Sequence, residues 1–133
     1  MTIKVIQWAT GGVGRAAVAG IVAHPDLELV GCWVHSADKV GVDVGELCGI
    51  DPIGVTATDD VDALLALDAD CVVYSPIMAD PSEVARILAS GTNVVTPLNW
   101  FFPAGRDESA IEAACRAGDS SVHGTGIHPG GIT

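Results

Sequence analysis

The sequence predicts an α/β domain, a doubly wound parallel sheet of about six strands with helices on both faces. Three observations lead there. Apolar strand-like runs alternate with helix-like segments from one end of the chain to the other. Those runs are rich in β-branched residues and show little polar alternation, the pattern of strands covered on both faces. The first run, Val5-Ile6-Gln7-Trp8, passes directly into a glycine turn and then an alanine-rich helix. Repetition of strand, helix and strand at these spacings makes parallel units with right-handed crossovers the economical solution.

Ile3–Trp8 reads as the first strand and residues 13–23 as a helix, closed by His24-Pro25. Residues 27–34 form an apolar second strand. Residues 35–54 are irregular and glycine-rich, with one helical turn around 44–48. A weak third strand is expected at 55–57, followed by a short helix over 59–67. Cys71–Tyr74 is a buried-type strand. Asp80-Pro81-Ser82-Glu83 supplies an N-cap, a proline at N1 and an acid at N3 for a helix over 84–89, which Gly91 stops. Asn93–Thr96 is another strand, residues 107–117 a helix ending at Gly118, and residues 121–123 a last strand.

The glycine turn, Ala9-Thr10-Gly11-Gly12-Val13-Gly14, carries the clearest functional signal. It reads A-x-G-x-x-G, a dinucleotide fingerprint in which Ala9 stands for the first glycine. Gly11 permits close approach of a pyrophosphate, and Gly14 lets the helix pack tightly on the strand. Backbone N–H groups at the helix N-terminus then face the anion. Ala9 suits this turn provided it keeps a negative φ. In a doubly wound sheet the loops that follow the strands emerge on one edge, where ligands bind. Here those loops are 9–12, 35–39, 75–79, 97–103 and 124–130, where glycine, proline, hydroxyl and aromatic residues gather.

The cofactor expected is NADP or NAD, with NADP favoured. NAD-selective domains usually carry an acid at the end of the second strand, about 20 residues beyond the glycines. Here that position reads Val34-His35-Ser36-Ala37, with no acid before Asp38. Ser36 can hydrogen-bond a 2′-phosphate and Lys39 can neutralise it, with Arg15 as a second cation. Asp38 is the counterweight, close enough to take the ribose hydroxyls. His35 stands where the adenine ribose is expected and can stack on the base.

Composition narrows the partners. The chain has 133 residues, 49% hydrophobic and 17% charged, which fits one globular domain. With 17 acidic against 6 basic residues the net charge is -11, which excludes nucleic acid and anionic membrane surfaces as partners. Cys32, Cys48, Cys71 and Cys115 form no C-x-x-C pair, and with the four histidines they show no zinc spacing. Reduced thiols in the cytoplasm are therefore expected, with no metal. Glycines 11, 12 and 14 with Arg15 interrupt any signal-peptide core, and no apolar run reaches membrane-spanning length.

The motifs Trp8-Ala9-Thr10-Gly11-Gly12-Val13-Gly14-Arg15, Asn93-Val94-Val95-Thr96 and Gly124-Thr125-Gly126-Ile127-His128-Pro129-Gly130, in that order, resemble the dihydrodipicolinate reductase-like superfamily. Within it they are most similar to the 2,4-diaminopentanoate dehydrogenase and native amine dehydrogenase branch. The resemblance implies an N-terminal Rossmann domain, residues 1–133, with a C-terminal substrate and dimerisation domain beyond them through which the protein forms homo-oligomers. It implies that residues 10–13 meet the pyrophosphate and that Ser75, Pro76 and Ile77 flank the adenosine–nicotinamide ribose side. Thr96 and Pro97, with the loop running on to Asn99, and residues 126–129 would lie near the nicotinamide. Asn99 stands near where amine-dehydrogenating members use an acidic residue to bind or activate the amine.

Three functions follow as expectations. The first is an oxidoreductase passing hydride to or from a C=N or C=O carbon of a small amine, ketone or imine, the cofactor carrying the chemistry. The second is reduction of a dipicolinate-type substrate in lysine biosynthesis. The third is a nucleotide-sensing domain without catalysis. His128 either donates a proton as hydride arrives or only shapes the His-Pro-Gly turn. His123 reads as a packed strand residue. Trp100, Phe101 and Phe102 either cover the nicotinamide or substrate or pack on a second domain. By itself the 133-residue chain is expected to bind dinucleotide without turnover, since one open sheet edge cannot enclose a substrate.

Overall fold

A computed structural model of the chain describes residues 2–75, 81–96, 116–118, 120 and 122–124. Its strands are β1 (Ile3–Trp8), β2 (Leu27–Trp33), β3 (Cys71–Tyr74), β4 (Asn93–Thr96) and β5 (Val122–Gly124). Its helices are α1 (Gly12–Ala23), α2 (Val44–Leu47), α3 (Val61–Leu65) and α4 (Pro81–Ala89), with a 3-10 turn at Ala37–Lys39. The strands form one parallel sheet in the order β2-β1-β3-β4-β5.

Alternation along β1 assigns its side chains to two cores. Val5 packs on the α1 face with Val18, Ile21 and Leu29. Ile6 and Trp8 face the other way, into Leu64 of α3 and Val84, Ile87 and Leu88 of α4. Helices therefore cover both faces, as the unbroken apolar runs imply. Each fully buried aliphatic side chain contributes about 1.5–3 kcal/mol. The β1–β2 register shifts between Val5/Ile6, pairing Val5 with Leu29 but Ile6 with Gly31, so Val30 is the extra residue of a bulge. A Cβ on Gly31 would lie 2.8 Å from Leu64 Cδ2 and 2.9 Å from Leu67 Cδ1, so the tips of those two leucines would have to move to admit a side chain there.

Among the described residues the sheet has five strands, against the expected six or so. The weak strand expected at 55–57 is reduced to isolated bridges, Asp43↔Thr56 antiparallel and Trp33↔Thr58 parallel. Its backbone is engaged instead by residues 41–44: Gly41 N donates to Ala57 O, Ala57 N to Val42 O and Val44 N to Val55 O. Thr58 reaches the sheet at the end of β2, pairing with Trp33: its N–H donates to Cys32 O and its carbonyl accepts from Val34 N, both at 3.0 Å. Asp43 fixes this excursion. Its carboxylate accepts from the N–H groups of Gly45 (2.8 Å), Ile53 (3.0 Å) and Gly54 (2.8 Å).

Other boundaries differ slightly from expectation. β2 ends at Trp33 rather than residue 34, and α3 is shorter than 59–67, starting after Asp60, whose side chain caps Ala63 N at 3.1 Å. α4 begins at Pro81 and carries Glu83 in its first turn, and Gly91 follows it at φ 95, as a glycine stop requires. Residues 107–115 of the expected later helix lie outside the described residues. An Arg86–Asp62 salt bridge ties α4 to α3 at the surface.

Candidate nucleotide-binding site

Strand order dictates where the site lies. From β1 the chain moves out to β2, then crosses back over β1 to β3, so connections diverge between β1 and β3. A crevice opens at the C-terminal ends of strands at such a reversal. Trp8 pairs with Tyr74 there, and Ser75 N donates to Trp8 O at 3.1 Å. The glycine loop leaves β1 over this point and enters α1.

Gly11 is the N-cap of α1, with φ -67 and ψ -170, and no side chain caps the helix. The first turn of α1 holds no acid that would compete with an anion. A Cβ on Gly11 would meet nothing within 4 Å, so open space lies in front of the helix terminus. A Cβ on Gly14 would lie 2.3 Å from the Ala9 carbonyl oxygen, which makes the helix approach impossible for any other residue. Gly14 thus serves the close packing expected of it, and the side of Gly11 stands open.

Ala9 departs from expectation. It holds φ 79, not a negative value. The turn needs a left-handed residue there, and alanine adopts it at a cost of about 1–2 kcal/mol.

Lys39, on the 3-10 turn after β2, donates from Nζ to Thr10 Oγ1 at 3.2 Å. Burial pushes the Cys48 thiol up, and the charges of Arg15 and Lys39 partly offset this, so both cations lie near the same thiol. Positive charge therefore collects beside the glycine loop of an otherwise acidic chain. Cys32, deeper in the same core, is pushed up to about 12, first by burial and then by Cys48. Both thiols remain protonated at neutral pH, unsuited to nucleophilic work.

The structure brings Ala9, Thr10, Gly11, Gly12, Val13 and Gly14 together with Lys39 and Ser75. His35 and Ser36 stand at the end of β2, on the same edge. The His35 ring lies 6.1 Å from that of Trp33, which stacks on Trp8 at 5.4 Å. Thr96 ends β4, paired with Gly124, two strand spacings or about 10 Å from β1. Pro76, Ile77, Pro97, Asn99 and His128 lie outside the described residues, as does the run 100–102. His123 lies in β5, paired with Val95.

Two residues of the site escaped the sequence reading. Gln7 is wholly buried and bonds Ser75 Oγ at 2.7 Å. Its signal was available, as a lone amide inside an apolar strand. Glu83 accepts from Trp8 Nε1 and from Tyr74 Oη, both at 3.0 Å, anchoring the first turn of α4 to the ends of β1 and β3. Its acid at N3 was legible, but its long-range partners were not. No helix among the described residues is long and apolar enough to cross a membrane, and none of their His, Cys, Asp and Glu side chains gather in threes to hold a metal.

This fold and this loop define a Rossmann-type NAD(P)-binding domain. The family model for the dihydrodipicolinate reductase N-terminus matches residues 3–96, and the chain belongs to that family. An amine dehydrogenase of Streptomyces virginiae is 37% identical over 96% of this chain, which spans 39% of that protein's length. A 4-hydroxy-tetrahydrodipicolinate reductase of Synechococcus elongatus is 41% identical over 47% of the chain and 23% of its own length. Among solved structures, amine dehydrogenase from Mycobacterium smegmatis matches 94% of this chain and 39% of its own, with 26% identity and a TM-score of 0.79.

Proposed function

We propose that this chain is the cofactor-binding part of an NAD(P)-dependent oxidoreductase acting on the C=N or C=O carbon of an amine, amino-ketone or imine. The observation that carries this reading is the glycine loop at the strand reversal, in a chain 37% identical to an amine dehydrogenase across 96% of its length. The residues present fit the cofactor: Gly11 leaves open space at the α1 terminus, whose N–H groups favour an anion, and Lys39 lies beside the loop with an ammonium that can pair with phosphate. When bound, the nicotinamide supplies the hydride. The chain's own work is to hold the phosphates at residues 10–14 and to pack the far side of the sheet so that the edge stays rigid.

Lys39 and Ser36 favour NADP over NAD, since β2 ends without an acid that would repel a 2′-phosphate. His128 and Asn99 are the candidates for proton and substrate handling, and Ser75, Pro76, Ile77, Thr96 and Pro97 for the ribose and nicotinamide side. A substrate and dimerisation domain beyond these 133 residues, a homo-oligomer built through it, and a cytoplasmic setting complete the proposal. The match to the dihydrodipicolinate reductase N-terminus favours a second reading, reduction of a dipicolinate-type imine. Fluorescence titration of these 133 residues with NADPH and NADH tests the cofactor, and steady-state turnover of amine, ketone and dihydrodipicolinate-type substrates by a longer protein carrying the proposed substrate domain separates the two readings. Absence of binding to either nucleotide overturns both.

A further inference from the structure

Gln7 has no exposed surface, and its neighbours in β1 are Ile6 and Trp8. A buried amide is costly unless it is bonded. Its Nε2 reaches Ser75 Oγ at 2.7 Å, the Ala9 carbonyl at 2.9 Å and the Trp8 carbonyl at 3.5 Å. Two of these are carbonyl oxygens, which accept only, so the amide nitrogen must face them. The same Ala9 carbonyl is the group that a Cβ on Gly14 would strike, and that Cβ would also lie 3.1 Å from Gln7 Nε2. Ala9 itself holds the left-handed φ of 79 that L side chains disfavour. The Ala9 carbonyl is therefore seated between the Gln7 amide and the bare face of Gly14.

We propose that Gln7, braced by Ser75, is a positioning residue for the cofactor: its amide holds Ala9 in the left-handed turn and so aims the 10–14 backbone at the pyrophosphate. The inference rests on the reading that this loop receives the dinucleotide. A glycine at position 9 would adopt the turn unaided. An alanine needs something to hold its carbonyl, and Gln7 is placed to do it. Ser75 extends the hold to the end of β3, linking the two strands that flank the crevice. The importance of Gln7 is thus conditional on the identity of residue 9, which a simple packing role would not be.

The test is a double-mutant cycle on the full chain: parent, Gln7→Met, Ala9→Gly and the double variant, each measured by NADPH titration and by nucleotide-free thermal melting. With alanine at position 9, Gln7→Met is expected to weaken NADPH binding about tenfold or more; with glycine there, less than about threefold. The loss of Tm shrinks in the same way. Equal loss of affinity in both backgrounds, or none in either, overturns the role of Gln7. A parent chain that binds no NADPH overturns the dinucleotide reading and the positioning role with it. Should Gln7→Met fail to fold, Ser75→Ala in the same two backgrounds carries the comparison, with loss beside Ala9 and rescue beside glycine as the expected result.

Discussion

Lys39 rests on Thr10: its ammonium donates to the threonine hydroxyl at 3.2 Å, bridging the loops that follow β1 and β2. A neutral hydroxyl is a weak partner for an ammonium, and a phosphate oxygen is a much stronger one. Nucleotide binding is therefore expected to draw Lys39 from Thr10 to the anion. Lys39→Ala should weaken NADPH about five- to tenfold while changing NADH less than about twofold, the difference being one partly exposed charge-assisted bond. Paired dissociation constants at fixed ionic strength check this. An equal effect on both nucleotides would mean that Lys39 meets the shared pyrophosphate.

Gly11 and Gly14 should fail in opposite ways. Gly14→Ala forces a methyl to 2.3 Å from the Ala9 carbonyl oxygen, so α1 must shift, at a cost of about 1–3 kcal/mol or more. A Cβ at position 11 meets nothing within 4 Å, and Gly11 has a φ of -67 open to any residue. The cost of Gly11→Val to the unliganded fold should be below about 1 kcal/mol. NADPH affinity should nevertheless fall at least about tenfold, because the side chain occupies the anion's space. Urea melts and titrations on the two variants separate stability from binding.

Asp43 predicts an acid-sensitive excursion between β2 and α3. Backbone N–H donors, Ile53 first, hold its carboxyl below the usual value of 3.8. A lowered folded pKa means that the unfolded chain binds the proton more readily, so stability rises with pH across this window. The contribution is complete above about pH 4 and is lost as pH falls through the folded value. The parent's Tm should therefore drop more steeply below about pH 4 than that of Asp43→Asn. At neutral pH the asparagine variant should be the less stable of the two, since its amide N–H₂ faces a backbone donor.

Glu83 should matter through its acceptors. Removing it in Glu83→Ala takes the acceptor from the fully buried indole N–H of Trp8, and a buried donor left unsatisfied costs about 1–3 kcal/mol. Glu83→Gln keeps an oxygen for Trp8 Nε1 and Tyr74 Oη, so it should lose less than half as much. Chemical denaturation of both variants measures the ratio. Equal losses would show that the negative charge, rather than its acceptor geometry, is what α4 requires.

Much of this molecule is legible in its sequence wherever the determinant is local. β1, β3 and β4 are apolar runs whose ends were read to the residue, and Pro81 with Glu83 marks the start of α4 as their chemistry demands. The glycine loop was readable because its spacing is local, and Gly14 answers a short-range steric need. What was missed is set by distant partners. Residues 55–57 look like a strand, but the Asp43 carboxylate turns them against 41–44 and away from the sheet. The sign of φ at Ala9 depends on a carbonyl seat built by Gln7 and Gly14, and no propensity of alanine announces it.

The Trp8–Trp33 stack gives the molecule an optical gauge of its own. The two indoles lie 5.4 Å apart and only 11° from parallel, one on β1 and the other on the edge strand β2. Chromophores so close couple their transitions, and the resulting near-ultraviolet circular dichroism depends on their spacing and relative tilt. The part of that signal that arises from this pair reports the seam between β1 and β2, beside the adenosine end of the proposed site. Peeling of the edge strand would extinguish it before the helical signal of α1 and α4 changed. Local opening of the nucleotide edge can thus be timed without a label.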